Sequence, residues 1–178
     1  MTIDLDKALG AELKPATYEY GADEVILYHL GLGAGTPPTD PRELRYVYEK
    51  SLVVLPAFGA LLPMPLVLDM VDVEGLDVDL TKLLHGEQDI IIHRPLPVAA
   101  TITTTGRIAE VWDKGKAALA VLESETSDAD GPILTCRTSA FLRGQGGFGG
   151  ERGPVTGAPA PDRTLPPTLL PIRPAPPD

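Results

Sequence analysis

LHGEQDIIIHRPLPVAATITTTGRIAEVWDKGKAALAVLESETSDADGPILTCRTSAFLRGQGGFGGERG, residues 84–153, is the stretch that decides the fold. Three long β-branched segments, 100–112, 117–126 and 133–142, are separated only by Asp113-Lys114-Gly115-Lys116 and by a turn at Asp128-Ala129-Asp130-Gly131. Both separators reverse an extended chain. They predict an antiparallel meander of strands about ten residues long. Ahead of it, residues 87–94 carry Ile90-Ile91-Ile92, the pattern of a strand buried on both faces, and Pro95 and Pro97 end it. Strict alternation along this strand puts His85 and Glu87 on one face.

Working upstream, Ala22, Val25, Ile26, His29 and Leu30 recur at the spacing of one helical face and predict a helix over 21–33, stopped by Gly31 and Gly33. Alternation of Leu44, Tyr46 and Tyr48 predicts a first strand over 43–49. In the apolar segment 51–62, Pro56 fits only in the first turn of a helix, and Pro63 and Pro65 close it. A short helix bearing Phe58, Leu61 and Leu62 follows. Residues 66–80 mix Leu, Val and Met with Asp69, Asp72, Glu74, Asp77 and Asp79, and read as an irregular connection. Downstream, nine of the 25 residues from Pro154 onward are proline, the composition of a linker or a disordered tail. The 178 residues thus divide into one domain over 1–153 and a tail over 154–178.

Hydrophobic residues at 43% and charged residues at 22% are those of a globular chain with a real core. The net charge of −10, with only 15 basic residues, argues against nucleic acid, whose binding rests on clustered Lys and Arg. An anionic small molecule such as coenzyme A needs only a few local cations, although the global field slows its approach. One cysteine, Cys136, forms no intramolecular disulfide and no cysteine-based zinc site. The acidic N-terminus lacks the plan of a signal peptide, and no apolar run approaches the roughly 20 residues that span a bilayer. Cytoplasmic residence without a membrane partner is the expectation.

His29 lies on the apolar face of the first helix, where a core histidine bonded to a backbone carbonyl is expected. His93, beside Arg94 at a strand end, is expected to be exposed. Gly31-Leu32-Gly33-Ala34-Gly35 follows a helix, and the run from Gly144 to Gly150 leads to Arg152-Gly153-Pro154 instead of a helix, so neither has the context of a nucleotide-binding turn. Sharp turning or close approach accounts for both. Counting back from Gly75 puts Met70 first in any calcium loop, so the acidic run is a solvated surface and not a metal site. Cys136 reads as a small core residue, and no Gly-x-Ser-x-Gly elbow is present.

A resemblance rests on five separated segments. They are Asp23-Glu24-Val25-Ile26-Leu27-Tyr28 leading to Gly31-Leu32-Gly33-Ala34-Gly35; Val54-Leu55-Pro56-Ala57-Phe58; Leu84-His85-Gly86-Glu87-Gln88 followed by His93-Arg94-Pro95-Leu96-Pro97; Asp113-Lys114-Gly115; and the glycine-rich 143–153. In this order, over about residues 15–153, they resemble the MaoC-like dehydratases, and within them the N-terminal half of the double hot-dog (R)-specific 2-enoyl-CoA hydratases, hydratase 2. The resemblance implies an α+β hot-dog fold, a long curved antiparallel sheet wrapped around a short central helix. It implies a coenzyme A thioester as substrate and no further cofactor.

Full-length members carry, in their C-terminal half, an Asp-x-Asn-Pro-x-His motif whose Asp and His handle the proton transfers of water addition. The present 178 residues contain no asparagine, so the motif is not among them. The resemblance therefore implies an acyl-accommodating half without catalytic residues, paired with itself or with a catalytic hot-dog subunit. A shortened central helix would leave room for a long acyl group, lined by Phe58, Leu61 and Leu62. His85, Gly86, Glu87 and Gln88 are expected at the substrate. His85 and Glu87 are the nearest thing to an acid–base pair, with positioning of substrate or of backbone groups preferred over direct catalysis. The alternative is a lone hot-dog module that holds an acyl thioester without converting it. A hot dog bearing the motif, encoded next to this chain or following it, separates the two.

Overall fold

The turns at 113–116 and 128–131 reverse the chain as their sequences dictate, and the strands they join form the centre of the molecule. The computed structural model describes residues 3–154. In chain order, α1 (Leu5–Ala8) precedes β1 (Ala16–Tyr20), α2 (Ala22–Gly31) and α3 (Pro41–Leu44). A 3-10 turn at Pro56–Leu61 and α4 (Met64–Asp69) follow, then β2 (Leu83–Ile92), β3 (Ala100–Asp113), β4 (Ala117–Asp128) and β5 (Gly131–Arg143). The strands pair antiparallel in the order β1-β3-β4-β5-β2.

One face of this sheet is the core. Ile108, Ala118, Ala120, Leu122, Leu134, Cys136, Ala140 and Leu142 alternate along β3, β4 and β5 and are buried, and Leu62, Leu66, Met70 and Leu76 close over them. Each leucine, isoleucine or methionine among them contributes roughly 1.5–3 kcal/mol by leaving water. The helical layer lies directly on the strands because two glycines clear its path. A Cβ on Gly106 would meet Leu66 Cδ2 at 2.8 Å, and one on Gly59 would meet Leu134 Cδ2 at 2.7 Å. Register shifts between Ile108 and Glu110 in β3 and between His85 and Glu87 in β2 add the bend that wraps the sheet round this layer. No helix among the described residues is long and apolar enough to cross a membrane.

The structure differs from the sequence-based expectation at four places. Residues 43–49 are not a strand: Asp40 caps α3 by accepting the Arg42 N–H at 2.9 Å, Pro41 opens it, and the bonds from Tyr46, Val47 and Tyr48 back to Glu43 and Leu44 continue it as turns. The Asp-Pro cap outweighs the alternation. The first strand is instead β1, which puts Tyr18 and Tyr20 on the core side opposite Ile102 and Ala100.

Residues 66–80 are not irregular throughout. Pro65 sits in the first turn of α4 instead of ending a helix, and Leu66, Val67, Met70, Val73 and Leu76 are buried beneath the acidic residues. The isoleucine run is not buried on both faces, because β2 is an edge strand and Ile91 is 60% exposed. Helix α2 ends at Gly31 and buries Val25 and His29, but Leu30 is exposed. The proline-rich tail falls outside the described residues from position 155 onward.

Candidate functional site

Tyr18 and Tyr20 reach from β1 toward the helical layer and anchor there through their hydroxyls. Tyr18 donates to the Leu62 carbonyl at 2.9 Å and Tyr20 to that of Pro97 at 3.0 Å. Burial pushes the Tyr20 phenol up to about 12 and the Tyr18 phenol higher, so both stay neutral. Phe58, held by the Pro56–Leu61 turn, stands edge-on to Tyr20 at 5.2 Å and to Tyr28 of α2 at 5.5 Å between ring centres. These rings, with Leu27, Leu61, Leu62, Met64 and Leu68, line an open apolar groove of about 670 Å3. Glu19, Glu24 and Asp69 also line it, and no Lys, Arg or His does. All three residues expected to face an acyl group, Phe58, Leu61 and Leu62, are in this wall.

The other expected substrate residues lie elsewhere. His85 pairs with Ala140 and Glu87 with Ser139, leaving Gly86 without a partner on β5. Neighbouring residues of β5 point to opposite faces, so this bulge sends His85 to the helix-covered side and Glu87 to the outer side. The expected pair on one face is therefore not assembled. His85 is instead bonded to Gln88, its Nε2–H donating to Oε1 at 3.1 Å, and the same oxygen accepts from Thr138 Oγ1 at 2.8 Å. None of residues 85–88 lines the groove. They sit on the opposite edge strand, and the Pro56–Leu61 turn lies between, with Gly59 against Ile90 and Leu134.

His29 is fully buried, as its place on the helix suggested, and both ring nitrogens are used. Nδ1–H donates to Tyr46 O at 2.7 Å, and Nε2 accepts the Leu55 N–H at 3.1 Å. It staples α2 to the segment before Pro56. His93 is exposed and bonds Thr135 Oγ1 at 2.9 Å, while Arg94 pairs with Asp128. Cys136 is in the core, where burial pushes its thiol up to about 11. The acidic connection makes local partners of its own: Asp79 is held at about 2 by Thr81 and Lys82, and Glu74 pairs with Lys7.

The glycine-rich segment folds back on its own chain. The Asp113 carboxylate accepts the N–H groups of Gly115 at 2.8 Å and of Gly147 and Gly149 at 2.9 Å. The amides of Gly147 and Gly115 are the main reason its carboxyl stays below the usual range. The segment lies so close to the hairpin that a Cβ on Gly146 would meet Ala117 N at 2.5 Å, and one on Gly153 would meet the Trp112 ring at 2.3 Å.

Among the groove residues, Tyr18, Tyr20, Tyr28, Met64 and Leu68 were not picked out from sequence. The alternation of Tyr18 with Tyr20 was the one signal that could have shown two of them.

A curved five-stranded antiparallel sheet laid over a short helical layer defines the hot-dog fold. The MaoC-like dehydratase of Phytophthora capsici superimposes on it with a TM-score of 0.70 at 23% identity, covering 90% of this chain and 57% of that one. The HadBC 3R-hydroxyacyl-ACP dehydratase complex of Mycobacterium tuberculosis does so at 0.59 with 16% identity, over 79% of this chain and 99% of that one. The model of the MFE-2 hydratase 2 N-terminal domain matches residues 18–144, and the chain belongs to that family. It is 41% identical over 169 residues to the enoyl-CoA hydratase ChsH3 of Mycobacterium tuberculosis, covering 92% of this chain and 58% of ChsH3. The chain spans little more than half the length of ChsH3 and of the enoyl-CoA hydratases 2 of Dictyostelium discoideum and Arabidopsis thaliana.

Proposed function

We propose that this chain is the acyl-accommodating, non-catalytic half of an (R)-specific enoyl-CoA hydratase or 3-hydroxyacyl thioester dehydratase. It works with a second hot dog that carries the Asp-x-Asn-Pro-x-His motif. Hydration of an enoyl thioester requires a base for water, an acid for the α-carbon and a donor to the carbonyl. One observation carries the reading: the groove formed around Phe58, Leu61 and Leu62 is largely apolar, and no His, Lys or Arg among the described residues lines it. Its volume of about 670 Å3 lies within the usual range of small-molecule sites, roughly 300–1,000 Å3. Water addition is redox-neutral, so the thioester is the only carrier this chemistry asks for.

The opposite edge of the sheet offers the place for a partner. Strand β2 ends the sheet with an unpaired edge, and Leu84 and Ile91 stand exposed beside it. A long unpaired edge is a template for another strand. HadBC, a neighbour in fold, is itself a complex.

The test is loss of enoyl absorbance with crotonyl-CoA and with a long-chain 2-enoyl-CoA. The purified chain binds the long-chain thioester without converting it, and mixing with a motif-bearing hot-dog subunit gives turnover. In the mixture, Leu61→Ala, in the groove wall, alters KM or chain-length preference more than kcat, as for groups that bind ground and transition states alike. Robust turnover by the chain alone, abolished by His85→Ala, overturns the proposal.

A further inference from the structure

We propose that Glu24 and Asp69, with Glu19, make the groove selective for acyl chains whose far end is uncharged, so that ω-carboxyl acyl thioesters are turned away. This rests on the groove being the acyl site. Its walls at Phe58, Leu62 and Met64 offer only hydrocarbon and ring edges. Two of the three tyrosine hydroxyls at the groove are spent, Tyr18 on the Leu62 carbonyl and Tyr20 on that of Pro97, and Tyr28, which also lines it, brings a neutral hydroxyl with no charge to balance an anion. Among the described residues, the only charges along the groove are three exposed carboxylates, and none of them is in an ion pair.

A methyl end leaves these carboxylates hydrated and undisturbed. A carboxylate end brings like charge toward them with no cation in compensation. At a protein surface such an approach weakens binding by roughly tenfold. Because the groups are exposed, salt reduces the effect.

The experiment uses saturated, unreactive thioether analogues of hexadecanoyl-pantetheine ending in methyl, carboxylate or ammonium. Each is titrated calorimetrically against the chain and against Glu19→Gln/Glu24→Gln/Asp69→Asn. Glutamine at position 24 retains an oxygen for the Gly21 N–H, which Glu24 Oε2 accepts at 2.8 Å, so the start of α2 is kept. A thermal melt of the variant verifies its folding.

The chain is expected to bind the carboxylate probe about tenfold more weakly than the methyl probe. In the triple variant, or in about 0.5 M salt, the gap falls below about threefold. The ammonium probe is penalised less than the carboxylate probe. Equal binding of the methyl and carboxylate probes, equal rejection of both charged probes, or a gap that survives in the variant removes the selectivity while leaving the acyl site standing. Failure of the methyl probe to bind removes the acyl site itself and the selectivity with it.

Discussion

His29 ties two segments through opposite edges of one ring, Nδ1–H to Tyr46 O and Nε2 from Leu55 N–H, with no access to water. His29→Ala strands both backbone groups in the interior and leaves a void. The expected loss is about 2–4 kcal/mol, read from the urea midpoint. His93→Ala, at an exposed position, is expected to cost under about 0.5 kcal/mol. A loss below about 1 kcal/mol for His29→Ala would show that the staple is dispensable. The buried role of His29 was legible because its helical spacing from Val25 and Ile26 turns the ring toward the same apolar interior. The relation of His85 to Glu87 was not. Alternation predicts it wrongly wherever a strand carries one residue more than its partner, and the glycine at position 86, inside a strand pattern, is the one signal of such a bulge.

Among the elements, the glycine-rich segment depends on one carboxylate. Asp113 is held below its ordinary value by the amides it receives, so the folded chain takes up its proton less readily than the unfolded one. Its contribution is complete above the unfolded value, near 3.8, and is lost as pH falls through the lower folded value. Amide exchange provides the measurement. Protection factors of Gly115, Gly147 and Gly149 should be high at neutral pH, decline under acid, and collapse at neutral pH in Asp113→Ala. Unchanged protection in that variant would mean that packing against Ala117 and Trp112 alone holds the segment. The meander of β3, β4 and β5 was legible because its turn sequences permit little else. Helix α4 was hidden by Pro63 and Pro65, which read equally as an end and as a beginning, and β1 by its length of only five residues.

On the scale of the molecule, the two edges of the sheet are unequal. Strand β1 has five residues and β2 has ten, with exposed apolar side chains beside an unpaired backbone. Association through β2, with a second copy or a catalytic hot dog, is the expected use. Sedimentation at micromolar concentration should show a dimer, and Leu84→Lys/Ile91→Lys should return it to monomer with little loss of fold, because neither side chain is in the core. A wild-type chain that stays monomeric, alone and with a motif-bearing hot dog, would contradict the edge as an interface. The groove itself was half legible. Phe58, Leu61 and Leu62 are what the family resemblance implies, with Pro56 and Pro63 marking the short helix it calls for, but Tyr18, Tyr20 and Tyr28 come from elements far apart in the chain and meet only once the sheet has formed. Gly86, meanwhile, lengthens β2 without occupying a rung of its ladder. Deleting its codon would leave residues 83–85 and 87–92 opposite the same partners, whereas deleting Asp89 would turn half of the strand inside out. Position 86 is therefore an expansion joint, the place in this strand where evolution or an engineer can change its length without changing which side chains meet the core.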